Sequence, residues 1–390
     1  MGIVSDSEEN RPRVLVIAMA NSTHTARWLA QFSQKNIDII LFPSTPSRTL
    51  HPRIQDLLSA DSQMTLRVAP TMVRGAYLFG ILDLFLANHL RSFLLKRLIS
   101  GEEKFAVIHA LELQHAGYLI LKASSAVPVA TRVIISNWGS DIFWFQRFPR
   151  HKKKLESLMK MATHYSCECN RDIHLASDLG FTGVIFPVQP NAGGFSQEIF
   201  EATHESAVPS LRKSIMIKGY TGFVGRADIA LKACQIISEV LRDFEIILYS
   251  SDVKSRRIAR KLSRDNGLNI TMYKKHQLSH EKMLELFRNA RVYIGISESD
   301  GISTSLLDAI SSGCFPVQTD TSCANEWISD GTTGSLVDFR DLEGIASAIQ
   351  VALTDGVLVD NAALINIETA KSRLSVNAIS SDSTQFYNSF

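Results

Sequence analysis

Twice along this chain, short runs of apolar, β-branched residues alternate with stretches of helical periodicity, and no other feature restricts the fold as much. Strands joined through helices run parallel, and a parallel sheet is covered by helices on both faces. The first series opens with Arg13–Ala18, enters a helix expected over Ala26–Lys35, and continues with strands expected at Ile37–Phe42, Ala106–His109 and Val129–Ile135. The second opens at Ser214–Lys218 and continues with Glu245–Tyr249, Ile270–Tyr273 and Ala290–Ile296. The pattern predicts an α/β chain with one Rossmann-like domain per series. A length of 390 residues suits two domains of about 190 each. An apolar fraction of 45% gives both of them a core. Pro187–Phe195, dense in turn residues, reads as the hinge.

The same composition excludes several classes. A net charge of +2, with no basic stripe and interleaved aromatics read from the sequence, predicts no nucleic-acid partner. The five cysteines, Cys167, Cys169, Cys234, Cys314 and Cys323, lack the paired spacing of a metal ribbon and read as reduced, buried thiols in a cytoplasmic protein. Residues 1–12 are polar, without the apolar core of a signal peptide, and read as a disordered tail. Gly75–Ile99 is rich in Leu and Phe but broken by Asp83, Arg91, Lys96 and Arg97, so it does not span a bilayer. It is either a buried helix or helical pair, or an interfacial helix touching anionic lipid with those three cations at its basic end.

The candidate chemistry lies at strand ends. Between Ser297 and Val317, Asp300 and Asp308 bracket a Gly301-Ile302-Ser303-Thr304 turn. Ser303 or Thr304 is placed to cap a helix through Leu306, Leu307 and Ile310, stopped by Gly313, so its first amides face a potential anion such as a diphosphate. Asp308, one turn into the helix, is within reach of a sugar hydroxyl pair on that diphosphate, or else the segment is an ordinary capped helix after a strand. The loop Lys218-Gly219-Tyr220-Thr221-Gly222-Phe223-Val224-Gly225-Arg226 lacks the dinucleotide glycine spacing. Its glycines suit close backbone approach, and Arg226 offers a fork for phosphate oxygens.

These residues resemble the retaining GT-B glycosyltransferases of family 4, the sucrose synthase and glycogen synthase relatives. The segment looks like their Glu-x7-Glu signature with Asp in both acid places, and the likeness runs on through Gly313-Cys-Phe-Pro316-Val and Glu326-Trp327-Ile-Ser-Asp-Gly331-Thr-Thr-Gly334. The resemblance implies a GT-B fold whose two domains face a central cleft. Residues 13–197 would form the acceptor domain and 198–367 the nucleotide-sugar donor domain, with 368–390 packing back on the first. It further implies that Asp308 binds the nucleotide ribose, that Asp300 lies beside the donor sugar, and that Lys218, Gly219, Gly222, Arg226, Gly301, Ile302, Ser303, Thr304 and Leu307 line the donor site. Tyr220 stands where the family has an Arg, which leaves Arg226 to carry the charge.

On the acceptor side, Asn21-Ser-Thr-His24-Thr-Ala-Arg27-Trp28 is similar to the family's His-Thr-x-Arg-Trp opening. His24 either binds hydroxyls or is solvated, and Trp28 reads as core. Asn137-Trp138-Gly139-Ser140-Asp141 resembles the family's His-Gly-Ser-Asp loop with Trp138 in place of His, and Asp141 either orients a sugar or caps the next helix. His109-Ala-Leu111-Glu112-Leu-Gln-His115 resembles a His-x-His segment with Leu111 in the second place, which leaves the roles of His109, Glu112 and His115 open. The implied reaction is metal-independent transfer of a sugar, with retention, from a nucleotide-diphosphate sugar to a glycan, lipid-linked or small-molecule acceptor, without a cofactor. The alternatives are a nucleotide-sugar epimerase or hydrolase, and a non-catalytic sugar-nucleotide binder. The expected location is cytoplasmic, with possible peripheral contact on the inner membrane face.

Overall fold

The computed structural model describes residues 11–60, 62–69, 77–86, 88–190 and 193–387. Most of the expected tail, and Asn191 and Ala192 of the expected hinge, lie outside them. The chain divides into two compact units, Met1–Gly193 with Ile379–Phe390, and Gly194–Ala378. The last segment therefore leaves the second unit after Ala378, not after Ile367.

The first unit is built on seven parallel strands: β1 (Arg13–Ala18), β2 (Asp38–Pro43), β3 (Thr65–Val68), β4 (Val107–Leu111), β5 (Arg132–Ser136), β6 (His164–Ser166) and β7 (Val184–Ile185). They lie in the order β3-β2-β1-β4-β5-β6-β7. Val14 to Ala18 are wholly buried, as expected of a central strand covered on both faces. One face packs on the helix Thr23–Ala30 through Trp28 and Leu29, and there Phe386 and Tyr387 complete the core. The other face packs on the helices His89–Ile99 and Tyr118–Ala123. Gly75–Ile99 forms, over its described part, two helices, Tyr77–Phe85 and His89–Ile99.

The second unit is a six-stranded parallel sheet of β8 (Ser214–Lys218), β11 (Glu245–Ser251), β12 (Asn269–Lys274), β13 (Ala290–Gly295), β14 (Phe315–Thr319) and β15 (Ser335–Val337), in the order β12-β11-β8-β13-β14-β15. A small antiparallel pair, β9 (Thr221–Gly222) and β10 (Gly225–Arg226), follows β8. Ile215, Ile217, Leu248, Val292 and Ile294 fill its core against the helices Ala227–Ile236 and Leu342–Thr354. In each sheet the order reverses at one point, between β1 and β4 and between β8 and β13. Ligands of open α/β sheets bind beyond the strand ends at such points.

Candidate functional site

The strand pair at the second unit's switch point delivers two opposite charges to one place. Lys218 ends β8, Asp300 follows β13, and Lys218 Nζ lies 3.1 Å from Asp300 Oδ2. Burial acts to lower the lysine's pKa, but Asp300 with Tyr293 and Tyr220 outweighs it and the group is pushed up to about 12, so it is held as a cation. The other Asp300 oxygen accepts from the Gly301 amide at 3.0 Å. Ser303 then occupies the N-cap of the helix Thr304–Ser311 but makes no side-chain cap bond, and its hydroxyl lies instead beside that of Tyr293. The first amides of a helix have no partner within it, and here the side chain of the N-cap residue does not cap them. The ammonium and the uncapped helix start together form an anion-binding corner.

Arg226 is differently placed from the expectation that it alone carries the charge. Its Nε donates to Asp228 Oδ1 at 3.0 Å and its second arm pairs with Glu298, while Lys254 Nζ also reaches Asp228 at 3.0 Å. Lys218 is a second cation at the end of β8, and Arg226 sits in a carboxylate frame that sequence reasoning did not foresee. Glu298 lies two residues before Asp300, and that proximity was its one available signal. The loop glycines also divide by cause. A Cβ at Gly219 would come within 2.5 Å of the Tyr249 carbonyl and one at Gly225 within 2.7 Å of Tyr220, whereas Gly222 faces open space. The first two permit internal packing, and Gly222 alone of the three leaves room for a ligand.

Asp308 is 4% exposed and pairs with His280 Nε2 at 2.9 Å. His280 opens the helix His280–Arg288, and its ring stacks on Phe195 with centroids 6.3 Å apart. Nothing in the spacing of His280 from Asp308 marks this pair in the sequence. Leu307 is buried beside it in the helix, and Ile302 is buried in the preceding turn.

The acceptor-side residues of the first unit gather at the strand ends near its own switch point. His24, on the first turn of Thr23–Ala30, meets Trp138 with ring centroids 5.5 Å apart and the ring planes tilted by 53°. Gly139 adopts φ +50° and its amide donates to Glu168 Oε2 at 3.1 Å. Ser140 is buried next to Asp141. The Asp141 carboxylate turns inward, accepting from the amides of Trp138 at 3.0 Å and Leu113 at 2.9 Å, so it organises two loops. Burial, with Glu112 and Glu168 nearby, raises its pKa well above the ordinary range. Glu112 has φ +79° and accepts from the amides of His115 and Ala116, and burial pushes its carboxyl up to about 7 against those donors. His115, in the irregular turn Leu113–Gly117, has a pKa lowered by burial and then by Arg91. His109, fully buried between Tyr387 and Ser136, belongs to the core.

Two Rossmann-like units, one with an anion-binding corner at its switch point, define the GT-B architecture. Residues 218–355 match the family model "Glycosyl transferases group 1" and residues 13–174 match "Glycosyl transferase 4-like". The chain belongs to these glycosyltransferases. In fold it is similar to HepE of Anabaena, solved in complex with UDP, at a TM-score of 0.68 and 10% identity over 97% of this chain and 100% of that one. It is similar also to the sucrose-phosphate synthase of Thermosynechococcus elongatus, with TM-score 0.67 and 14% identity over 97% and 98% of the two chains. A third likeness is the UDP-forming trehalose-phosphate synthase of Burkholderia xenovorans in complex with glucose-6-phosphate, with TM-score 0.64 and 15% identity over 96% and 99%. No curated protein matches the sequence.

Proposed function

We propose that this glycosyltransferase moves a sugar from a nucleotide-diphosphate donor to a glycan or lipid-linked acceptor, with retention of configuration and without a metal ion. The observation that carries the reading is the corner formed by Lys218, Asp300 and the uncapped start of Thr304–Ser311. As the glycosidic bond breaks, charge grows on the departing diphosphate, and fixed donors aimed at that charge lower the barrier. Lys218, Arg226 and the amides around Ser303 and Thr304 supply them, and Gly222 admits the phosphates. Asp308 accepts from the ribose hydroxyls with His280 holding its carboxylate. Asp300 lies beside the donor sugar. The similarity to HepE solved in complex with UDP-glucose supports the choice of a nucleotide sugar. His24, His115, Trp138, Gly139 and Ser140 form the acceptor side, and Asp141 positions that loop. The setting is cytoplasmic, with peripheral contact to a membrane where a lipid-linked acceptor is made, as in polysaccharide assembly.

Product formation from UDP-glucose and other nucleotide sugars, with and without added acceptor, tests this. Transfer that requires the acceptor supports it. Free sugar at an undiminished rate without acceptor indicates a hydrolase, and nucleotide binding without turnover indicates a binding protein. The metal-free step predicts an unchanged rate in excess EDTA, and a complete loss restored by Mg²⁺ or Mn²⁺ contradicts it.

A further inference from the structure

The helix pair Tyr77–Phe85 and His89–Ile99 is only partly the buried pair of the core reading: Leu95 and Ile99 pack into the first unit's core, but much of its remaining apolar surface is not covered. Leu78, Leu82, Phe85, Leu86, Leu90 and Phe93 are exposed, Phe85 at 85% and Leu78 at 71%. On the first helix these positions follow a spacing of three and four, so they form one apolar face. A contiguous exposed apolar face of this kind marks an interaction site. The pair is held together from within: Arg91 is 1% exposed, 3.5 Å from Asp83, and donates to the carbonyls of Ser44 and Gly80. Arg91 is therefore withdrawn from the basic end that the sequence suggested. Asp83 is the one acid between residues 77 and 99 and it is buried, which leaves only cationic charge at the surface of the pair, Arg97 exposed and Lys96 half-buried.

A second feature lies across the helix Tyr118–Ala123 from the helix His89–Ile99. Arg147, Arg150, Lys152, Lys153 and Lys154 are exposed around the start of the helix Pro149–Met161, and no acid occurs between residues 142 and 155. None of the five pairs with a carboxylate among the described residues. Like charges crowd here at the positive end of a helix dipole, an arrangement that an apposed anionic surface relieves. Phe143, Trp144, Phe145 and the exposed Phe148 lie among them, with Arg147 stacked 4.8 Å over Trp144. This is a basic, aromatic stretch that the sequence reading passed over.

The two features flank one turn. The helix Tyr118–Ala123 packs on both His89–Ile99 and Pro149–Met161. At its start Tyr118 bonds His151 at 3.0 Å and carries Lys154 over its ring at 4.9 Å, while His115 lies within the field of Arg91. We propose that this edge of the first unit docks on an anionic lipid bilayer, the apolar helix pair entering the interface and the Arg147–Lys154 cations meeting the headgroups. Apolar side chains beside unpaired cations are the chemistry of an interfacial anchor. The proposal deepens the membrane contact included in the functional reading, and identifies the elements that make it.

The test is co-sedimentation of the full chain with vesicles of phosphatidylcholine alone and of phosphatidylcholine mixed with phosphatidylglycerol. Binding to the anionic vesicles, weakened by added salt, is expected. Lys152→Glu with Lys153→Glu and Lys154→Glu should weaken it by roughly 100-fold or more, and Phe85→Ser with Leu86→Ser should weaken it independently. No binding at low salt, or binding indifferent to both sets, overturns the proposal. So does loss of a dimer on gel filtration in the Phe85/Leu86 variant with vesicle binding intact, because the face is then a protein interface. Oligonucleotide competition that abolishes a charge-dependent signal indifferent to Phe85 and Leu86 also overturns it. The thermal shift with UDP is read in parallel: its absence in the wild type counts against the donor reading, while vesicle binding decides the docking edge.

Discussion

At the scale of single residues the donor corner is an arrangement of compensated charges. Asp308 is buried with one partner, His280, so its carboxylate is pre-oriented rather than solvated. A carboxylate hydrogen-bonded to ribose hydroxyls is worth about 1.5 to 3 kcal/mol, and Asp308→Ala should weaken nucleotide binding by about 10- to 100-fold in calorimetry. His280→Ala should cost less, because it loosens the carboxylate without removing it. Equal losses would mean that the histidine itself touches the ligand. Arg226 is held by Asp228 and Glu298. Glu298→Gln should loosen it, leaving only the Asp228 pair, and lower the donor KM, whereas Arg226→Ala should lower kcat even at saturating donor, since its contact strengthens as the leaving group gains charge. A raised KM in Glu298→Gln would make that carboxylate a ligand contact instead of a competitor. Asp300, Asp308 and the turn between them were legible because they are close in sequence around a strand-to-helix junction. His280 and Asp228 were not, since only the tertiary fold brings them to Asp308 and Arg226.

Among the elements, those with long apolar runs were legible and those shaped by neighbours were not. β1, β8 and β13 appear in the sequence as continuous β-branched segments because both faces are buried. β3 and β7 carry only partly buried or exposed residues, and β6 is three residues long, so no periodicity announces them. The turn after β4 is a third kind. Glu112 adopts a positive φ, which costs a non-glycine residue about 1 to 3 kcal/mol, and its carboxyl compensates by accepting from the amides of His115 and Ala116. No sequence pattern marks such a turn. It makes a pH prediction. The native state raises the Glu112 carboxyl from 4.5 to about 7, so it binds the proton more tightly than the unfolded chain does. That stabilisation is complete below about 4.5 and is lost as pH rises through about 7. Asp141, raised for the same reason, acts in the same direction. Glu112→Gln, which imitates the protonated acid, should flatten the fall in stability across this window by an amount on the order of 3 kcal/mol. Urea denaturation at several pH values measures it, and a slope equal to that of the wild type would show that Glu112 is not the group being titrated.

For the whole molecule, the end of the chain is a structural part of its beginning. Phe386 and Tyr387 lie in the first unit's core, where Phe386 stacks on Phe186 at 4.0 Å and meets Trp28 edge-on at 4.8 Å. The Tyr387 hydroxyl accepts from Trp28 Nε1 at 3.1 Å and lies 2.8 Å from His109 Nδ1, whose other nitrogen reaches Ser136 at 2.7 Å. Burial drives the His109 pKa down to about 3, so the ring stays neutral and the network carries no charge. The polar tail after Ile367 gave little sign of this, because two aromatic residues separated from their partners by 200 to 359 positions form no local pattern. Removing a buried aromatic side chain costs about 3 to 5 kcal/mol, and leaving Trp28 and His109 without their shared hydroxyl costs about 1 to 3 kcal/mol. Phe386→Ala should therefore destabilise the first unit strongly and Tyr387→Phe moderately. Three of the four tryptophans, Trp28, Trp138 and Trp144, belong to that unit, so intrinsic fluorescence in urea follows its unfolding. The expected result is a lowered midpoint in both variants, larger for Phe386→Ala. A wild-type midpoint in Phe386→Ala would show that the C-terminal segment does not occupy the first unit's core in solution.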